Sequence, residues 1–132
     1  MKEVPRLHFA HLPTHIEELP RLTEHLKGPR ILVKRDDQTG LALGGNKTRK
    51  LEFLVAEALE QGAKTLITGG ALQSNHCRQT AAAAARFGLD CILVLNGEMP
   101  VQPSANLLLD QMFGAKIVTI KDRALRDKTL QQ

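Results

Sequence analysis

The chain has 132 residues, 42% of them apolar and 24% charged, enough for one globular domain with a core of its own. Its formal charge of +4 does not describe a nucleic-acid binder: residues 1–50 carry ten Lys or Arg against six Asp or Glu, residues 51–132 carry eight of each, and there is no Trp, no Tyr and only four Phe to stack on bases. The apolar runs fall far short of the roughly 20 residues of a membrane span, and the first ten residues lack the apolar stretch of a secretory signal. Cys77 and Cys91 are too few and too widely spaced for a disulfide framework or a metal knuckle and read as small buried residues. A cytoplasmic protein is expected, with no metal, no membrane partner, and a small anionic ligand in preference to a polynucleotide.

Pro5, Pro13, Pro20 and Pro29 divide residues 1–45 into short apolar pieces, with one predicted strand at residues 31–34, and this part is expected to lean on other structure. From Asn46 onward strand-like and helical patterns alternate, as in a parallel α/β sheet. Asn46 is the predicted N-cap of a first helix, whose buried stripe is Leu51, Leu54, Val55, Ala58 and Leu59 and whose stop is Gly62. Strands are predicted at residues 65–68, 91–95 and 116–120, all without polar alternation, as expected when helices cover both sheet faces. A second helix is predicted over residues 75–87, its alanines allowing close approach to the sheet and Gly88 ending it. The third follows Pro103 and Ser104, with Ala105, Leu108, Leu109 and Met112 as its predicted buried stripe and Gly114 as its end. Residues 122–132 have helical composition but make only about two turns, too few to be stable unpacked.

Two segments could carry chemistry. Leu43-Gly44-Gly45-Asn46-Lys47-Thr48-Arg49-Lys50 places two glycines before a helix N-terminus rich in cations. A Walker A loop needs Gly-Lys-Thr or Gly-Lys-Ser at its end, and here Asn46 intervenes between Gly45 and Lys47-Thr48. Lys47 reads either as a solvated first-turn lysine or as a reactive amine, since the positive end of the helix dipole disfavours its charged form. Becoming largely neutral near pH 7 requires a drop of about 3 units from ~10.4, or about 4 kcal/mol. The dipole supplies only ~0.3–1 kcal/mol, so burial must supply most of the remainder. The second segment, Thr68-Gly69-Gly70-Ala71-Leu72-Gln73-Ser74-Asn75-His76, leads from a strand end through glycines to a helix start, where ligands of open α/β sheets sit. Plain helix capping by Ser74 or Asn75 explains the same residues. Arg78, Gln79, His8, His11, His15 and His25 show no ligand spacing, and those four histidines read as surface.

The runs KRDDQTG at 34–40, GGNKTRKLEFL at 44–54 and TGGALQSNHCRQTAA at 68–82 closely resemble the D-cysteine desulfhydrase and 1-aminocyclopropane-1-carboxylate deaminase family, and the similarity extends from Pro5 to about Ile120. That resemblance implies a pyridoxal 5'-phosphate enzyme of the tryptophan-synthase-β-like fold (fold type II): α/β, a three-layer parallel sheet with flanking helices, here truncated. Residues 1–45 would belong to an incomplete larger domain, and residues 46–132 would form the smaller α/β domain, cut short at its C-terminal end. Lys47 matches the lysine that forms the Schiff base with the cofactor and then moves the substrate's proton. Asn75 matches the asparagine that hydrogen-bonds the cofactor's ring 3-oxygen. Ser74, counted with Lys47 as catalytic, matches with Asn75 and His76 the loop that binds the substrate carboxylate, and Lys50 is placed near the cofactor phosphate.

The activity implied is a lyase or deaminase acting on a small amino acid. A D-cysteine desulfhydrase releasing pyruvate, sulfide and ammonia is expected, because His76 follows Ser-Asn where the cyclopropane deaminases carry glutamine. The alternatives are such a deaminase, a non-catalytic truncated fragment, or a phosphate- or nucleotide-binding module built on the Gly44–Lys47 loop. Complete members are expected to be homo-oligomers, dimers in particular. Their second half supplies a glycine-rich phosphate cup, a pyridine-nitrogen partner and tyrosines near the ring, none of which is found in these residues.

Overall fold

The computed structural model describes residues 4–130. Two sheets are formed. In the first, β1 (Ile16–Glu18) pairs antiparallel with β2 (Leu32–Lys34) around the short helix α1 (Pro20–Leu26). In the second, β3 (Thr65–Ala71), β4 (Asp90–Asn96) and β5 (Lys116–Ile120) lie parallel in that order. The connections are α3 (Asn75–Phe87) and α4 (Ala105–Met112); α2 (Lys47–Glu60) precedes β3, and a short α5 (Arg126–Leu130) follows β5. The three strands and the helices between them lie where strand-like runs and glycine stops predict, but β3 continues through Gly69 and Gly70 to Ala71. β1 carries a single apolar residue, Ile16, and all three of its residues are exposed, so pairing with β2 makes it a strand.

Cys91, Leu93 and Leu95 of β4 face α3 and α4 and join Cys77, Ala81, Ala84 and Leu107 in one apolar core. The alanines of α3 permit this closeness, and Ala81, Ala83 and Ala84 are fully buried. On the opposite sheet face Val94 is buried, and a β-carbon on its neighbour Gly69 would meet Arg126, so α5 covers that side and completes a third layer. Residues 131–132, the end of the segment predicted helical, lie outside the described residues.

A second core joins Phe9 to Leu51, Val55 and Ala83, so the N-terminal segment leans on α2 and α3. Glu52 anchors it. Its carboxylate is 1% exposed and accepts from Phe9 N (2.8 Å), Ala10 N (2.7 Å) and the Arg6 guanidinium (2.6 and 2.8 Å). Burial raises the carboxyl pKa, but the bonds from Ala10, Arg6 and Phe9 together outweigh it and hold the group below its usual range.

Three sequence expectations are corrected. The buried stripe of α2 is Thr48, Leu51, Glu52, Val55 and Ala56, while Leu54 and Leu59 are exposed, because the buried face carries polar residues that a count of apolar positions passes over. In α4 the buried residues are Leu107 and Asp110, whereas Ala105, Leu108 and Met112 are exposed. That helix is rotated by a polar clasp at its N-terminus, described below. Asn46 stands before α2 but makes no side-chain capping bond; its backbone is already helical. Asp110 is fully buried, its carboxylate finds no hydrogen-bond partner among the described residues, and burial, opposed by Arg78, lifts its pKa to about 6.

Candidate functional site

A helix that precedes a strand through a tight turn runs antiparallel to it, so the N-terminus of α2 lies at the C-terminal end of β3, beside the N-terminus of α3. The Gly44–Lys47 loop and the Ser74–His76 loop therefore meet at one end of the sheet, where open α/β sheets bind ligands.

The first loop is held from beneath by buried polar groups. Gln79, on α3 one turn beyond Asn75, is fully buried; its Nε2 donates to Gly44 O (2.9 Å) and its Oε1 accepts from Thr48 Oγ1 (2.7 Å). Arg78 Nη2 donates to the same carbonyl (2.8 Å). Thr39 Oγ1 accepts from Gly45 N (2.9 Å) and donates to Gly45 O (2.8 Å). Both glycines are required here: Gly44 has φ 72° and a β-carbon would lie 1.7 Å from Asp37 O, and Gly45 has φ 131° with a β-carbon 2.2 Å from Gln79 Nε2. The loop thus hands the chain into α2 in one conformation, and Lys47 is the first helical residue.

Lys47 is half-buried and Lys50 is exposed one turn on; neither makes a hydrogen bond or ion pair among the described residues. Arg49, between them, turns away to Asp36. Its Nε and Nη2 donate to the two carboxylate oxygens (2.8 and 2.7 Å), and Nη2 also donates to Thr14 Oγ1 (3.0 Å). The Arg49 bond, followed by that from Thr14, holds the Asp36 carboxyl at about 2. The positive charge of Arg49 is compensated, and Lys47 and Lys50 are left as the cations that act on His76 across the site.

In the second loop Ser74 caps α3, its Oγ accepting from Cys77 N (3.2 Å). The backbone N–H groups of Asn75 and His76 have no acceptor among the described residues, as first-turn groups of a helix. Asn75 is exposed, and its Oδ1 accepts from Asn106 Nδ2 (2.9 Å). The His76 ring lies between Thr68 Oγ1 (3.0 Å from Nε2) and Thr80 Oγ1 (3.4 Å from Nδ1). It lines a cavity of about 210 Å³ with Leu51, Leu54, Val55, Leu66 and Ile67. Burial, then Lys50 and Lys47, lower its pKa to about 4, so the ring is neutral at pH 7. The unfolded chain would take up this proton near ~6.5 and the folded chain only near 4, so His76 costs stability progressively as pH falls through that window. In an NMR titration the His76 ring is expected to remain neutral to about pH 4; a midpoint near ~6.5 would show it solvated instead of packed.

All five residues singled out from the sequence (Lys47, Lys50, Ser74, Asn75 and His76) stand on these two adjoining helix starts. Sequence reasoning missed Gln79, Thr39, Thr48 and Asn106, which hold the loops. Arg78 and Gln79 show no ligand spacing in the sequence, and no local pattern marks a side chain whose partner lies 31–35 residues away. The donor set fits an anionic aldehyde cofactor such as pyridoxal phosphate. It offers an unpaired amine at Lys47, an amide at Asn75, two helix N-termini, a second cation at Lys50, and only positive charges acting on the intervening histidine.

A family described as "Pyridoxal-phosphate dependent enzyme" matches residues 7–131. Among curated relatives, the D-cysteine desulfhydrase of Salmonella typhimurium is 54% identical over 120 residues, which cover 86% of this chain and 36% of that protein. The enzyme of the same name from Klebsiella pneumoniae is 52% identical over 118 residues with the same coverage. The chain therefore spans little more than a third of the length of these relatives. Among solved structures, a homologue of ACC deaminase superposes with a TM-score of 0.89 at 39% identity, over 98% of this chain and 39% of its own. Cysteine synthase from Entamoeba histolytica superposes at 0.69 with 24% identity, over 89% and 36%, and supports the fold alone.

Proposed function

The chain belongs to the pyridoxal-phosphate dependent enzyme family, and from that premise we propose that it carries the reactive-lysine portion of a lyase that removes sulfide from D-cysteine, giving pyruvate and ammonia. The observation that carries the reading is the meeting of Lys47 with Ser74, Asn75 and His76 at two adjoining helix N-termini, in a chain more than half identical to D-cysteine desulfhydrases. When bound, the cofactor supplies the electron sink that makes the substrate's α-proton removable. Lys47 Nζ would hold the cofactor and would be the base placed to take that proton. The Asn75 amide would donate to the ring oxygen, and Lys50 would add positive charge for the phosphate. The open N–H groups of Asn75 and His76, set by the Ser74 cap, orient the substrate carboxylate. A neutral His76 ring, lining one cavity with Leu51 and Val55, supplies shape without competing for that carboxylate as a cation.

Residues 1–45 are assigned to a larger domain and residues 46–132 to a smaller one, and the complete enzyme is proposed to be a cytoplasmic homodimer. No helix among the described residues is long and apolar enough to cross a membrane. We assign the phosphate cup and ring-nitrogen partner that the resemblance implies to the part of the relatives that this chain does not span. With the chain complemented by the remaining part of such an enzyme, D-cysteine is expected to give pyruvate faster than 1-aminocyclopropane-1-carboxylate gives 2-oxobutyrate. Both keto acids are assayed in parallel; preferential 2-oxobutyrate would transfer the assignment to the deaminases and leave the cofactor assignment in place.

A further inference from the structure

We infer that Asn106, at the start of α4, is a positioning residue that fixes which end of the Asn75 amide meets the cofactor; this rests on the reading of Asn75 given above. The polarity follows from backbone groups that have no choice of role. Asn106 Nδ2 lies 2.8 Å from Gln73 O, a carbonyl that only accepts, so this atom of Asn106 must be the NH2. The same NH2 lies 2.9 Å from the Asn75 side chain, so the atom it meets there must be Oδ1. Asn106 N, which only donates, lies 2.9 Å from Gln73 Oε1, leaving Gln73 Nε2 to donate to Ser104 O (3.2 Å). Every amide in the clasp is thereby oriented by the main chain, and the NH2 of Asn75 is left as the group offered to a ligand.

The clasp is held under backbone constraint. Ala105, the residue before Asn106, has φ 48°, a left-handed conformation that a β-carbon disfavours. The turn aims Asn106 at Gln73 and Asn75 and rotates α4 so that Leu107 and Asp110, not Leu108 and Met112, face inward. A donor held in this way selects an oxygen acceptor, here the ionised ring oxygen of the cofactor, and disfavours its protonated form.

The test is an absorbance titration with pyridoxal phosphate of the chain complemented by the remaining part of such an enzyme, comparing Asn106→Asp, Asn106→Ala, Asn75→Ala and the Asn75→Ala/Asn106→Asp pair, with circular dichroism to follow the fold. An aspartate at 106 accepts where Asn106 donates, so it draws the Asn75 NH2 inward and turns its oxygen to the ligand. Asn106→Asp is expected to weaken binding about tenfold and to move the band of the bound cofactor to shorter wavelength, as the protonated ring oxygen becomes favoured. Asn106→Ala frees the amide without inverting it and is expected to lose less. In the Asn75→Ala background, Asn106→Asp is expected to add no further loss. If Asn75→Ala weakens binding while both Asn106 variants keep wild-type affinity and band, or if the losses add in the pair, the clasp is overturned and the site reading survives. If Asn75→Ala changes neither affinity nor band, the site reading fails, and the clasp with it.

Discussion

Replacement of Lys47 by alanine is expected to remove the covalent attachment of pyridoxal phosphate to the chain and, in the complemented enzyme, to lower turnover of D-cysteine by about three orders of magnitude or more. Two contributions add up to that figure. Loss of a positioned acid–base group costs on the order of 10²–10⁴, and loss of the amine that holds the cofactor removes the nucleophilic step as well. The measurement is borohydride reduction in the presence of the cofactor, followed by peptide mass spectrometry, with keto-acid release followed alongside. Modification should fall on the peptide containing Lys47 and vanish in Lys47→Ala, while Lys50→Ala should keep the modification and bind more weakly. Undiminished turnover in Lys47→Ala would end the proposed function. Even labelling of Lys47, Lys50 and Lys64 would show that Lys47 is no more reactive than other lysines of the chain.

The second large effect concerns stability. Glu52→Ala is expected to destabilise the fold by about 3–5 kcal/mol, because it removes a buried carboxylate and leaves Arg6 and the N–H groups of Phe9 and Ala10 without their acceptor. Against a typical stability of about 5–15 kcal/mol, that suffices to leave much of the chain unfolded at moderate urea. Glu52→Gln retains one acceptor oxygen and should lose less. The pH dependence has a defined sign: the Glu52 carboxyl is held below its usual range, so its contribution is complete above the ordinary glutamate value of ~4.3 and is lost as pH falls through the folded value. Urea melts of both variants at neutral and acidic pH measure this, the gap between wild type and Glu52→Ala narrowing in acid. A gap that stayed constant with pH, or a Glu52→Ala variant as stable as wild type, would show that the carboxylate does not anchor the N-terminal segment.

The sequence determines the sheet and the two site loops because both are written in neighbouring residues. Short runs rich in Ile, Leu and Val, without polar alternation, mark β3, β4 and β5, and Gly62, Gly88 and Gly114, all at positive φ, mark the helix ends. The glycines before Lys47 and before Ser74 belong to motifs whose resemblance to a known family is local as well. What needed the tertiary structure is every decision made by a distant partner. Glu52 is buried because main-chain donors 42 and 43 residues away need an acceptor, so α2 turns a face inward that its apolar periodicity does not describe. Gln79 is buried for the same reason, 35 residues from the carbonyl it holds. α4 exposes Leu108 and Met112 because Asn106 is tied to Gln73 and Asn75 across more than thirty residues of chain. A buried polar group must find its partner or lose its desolvation energy, a constraint satisfied in space and not along the chain, so periodicity locates the elements while these long-range bonds set their rotation and the orientation of the site.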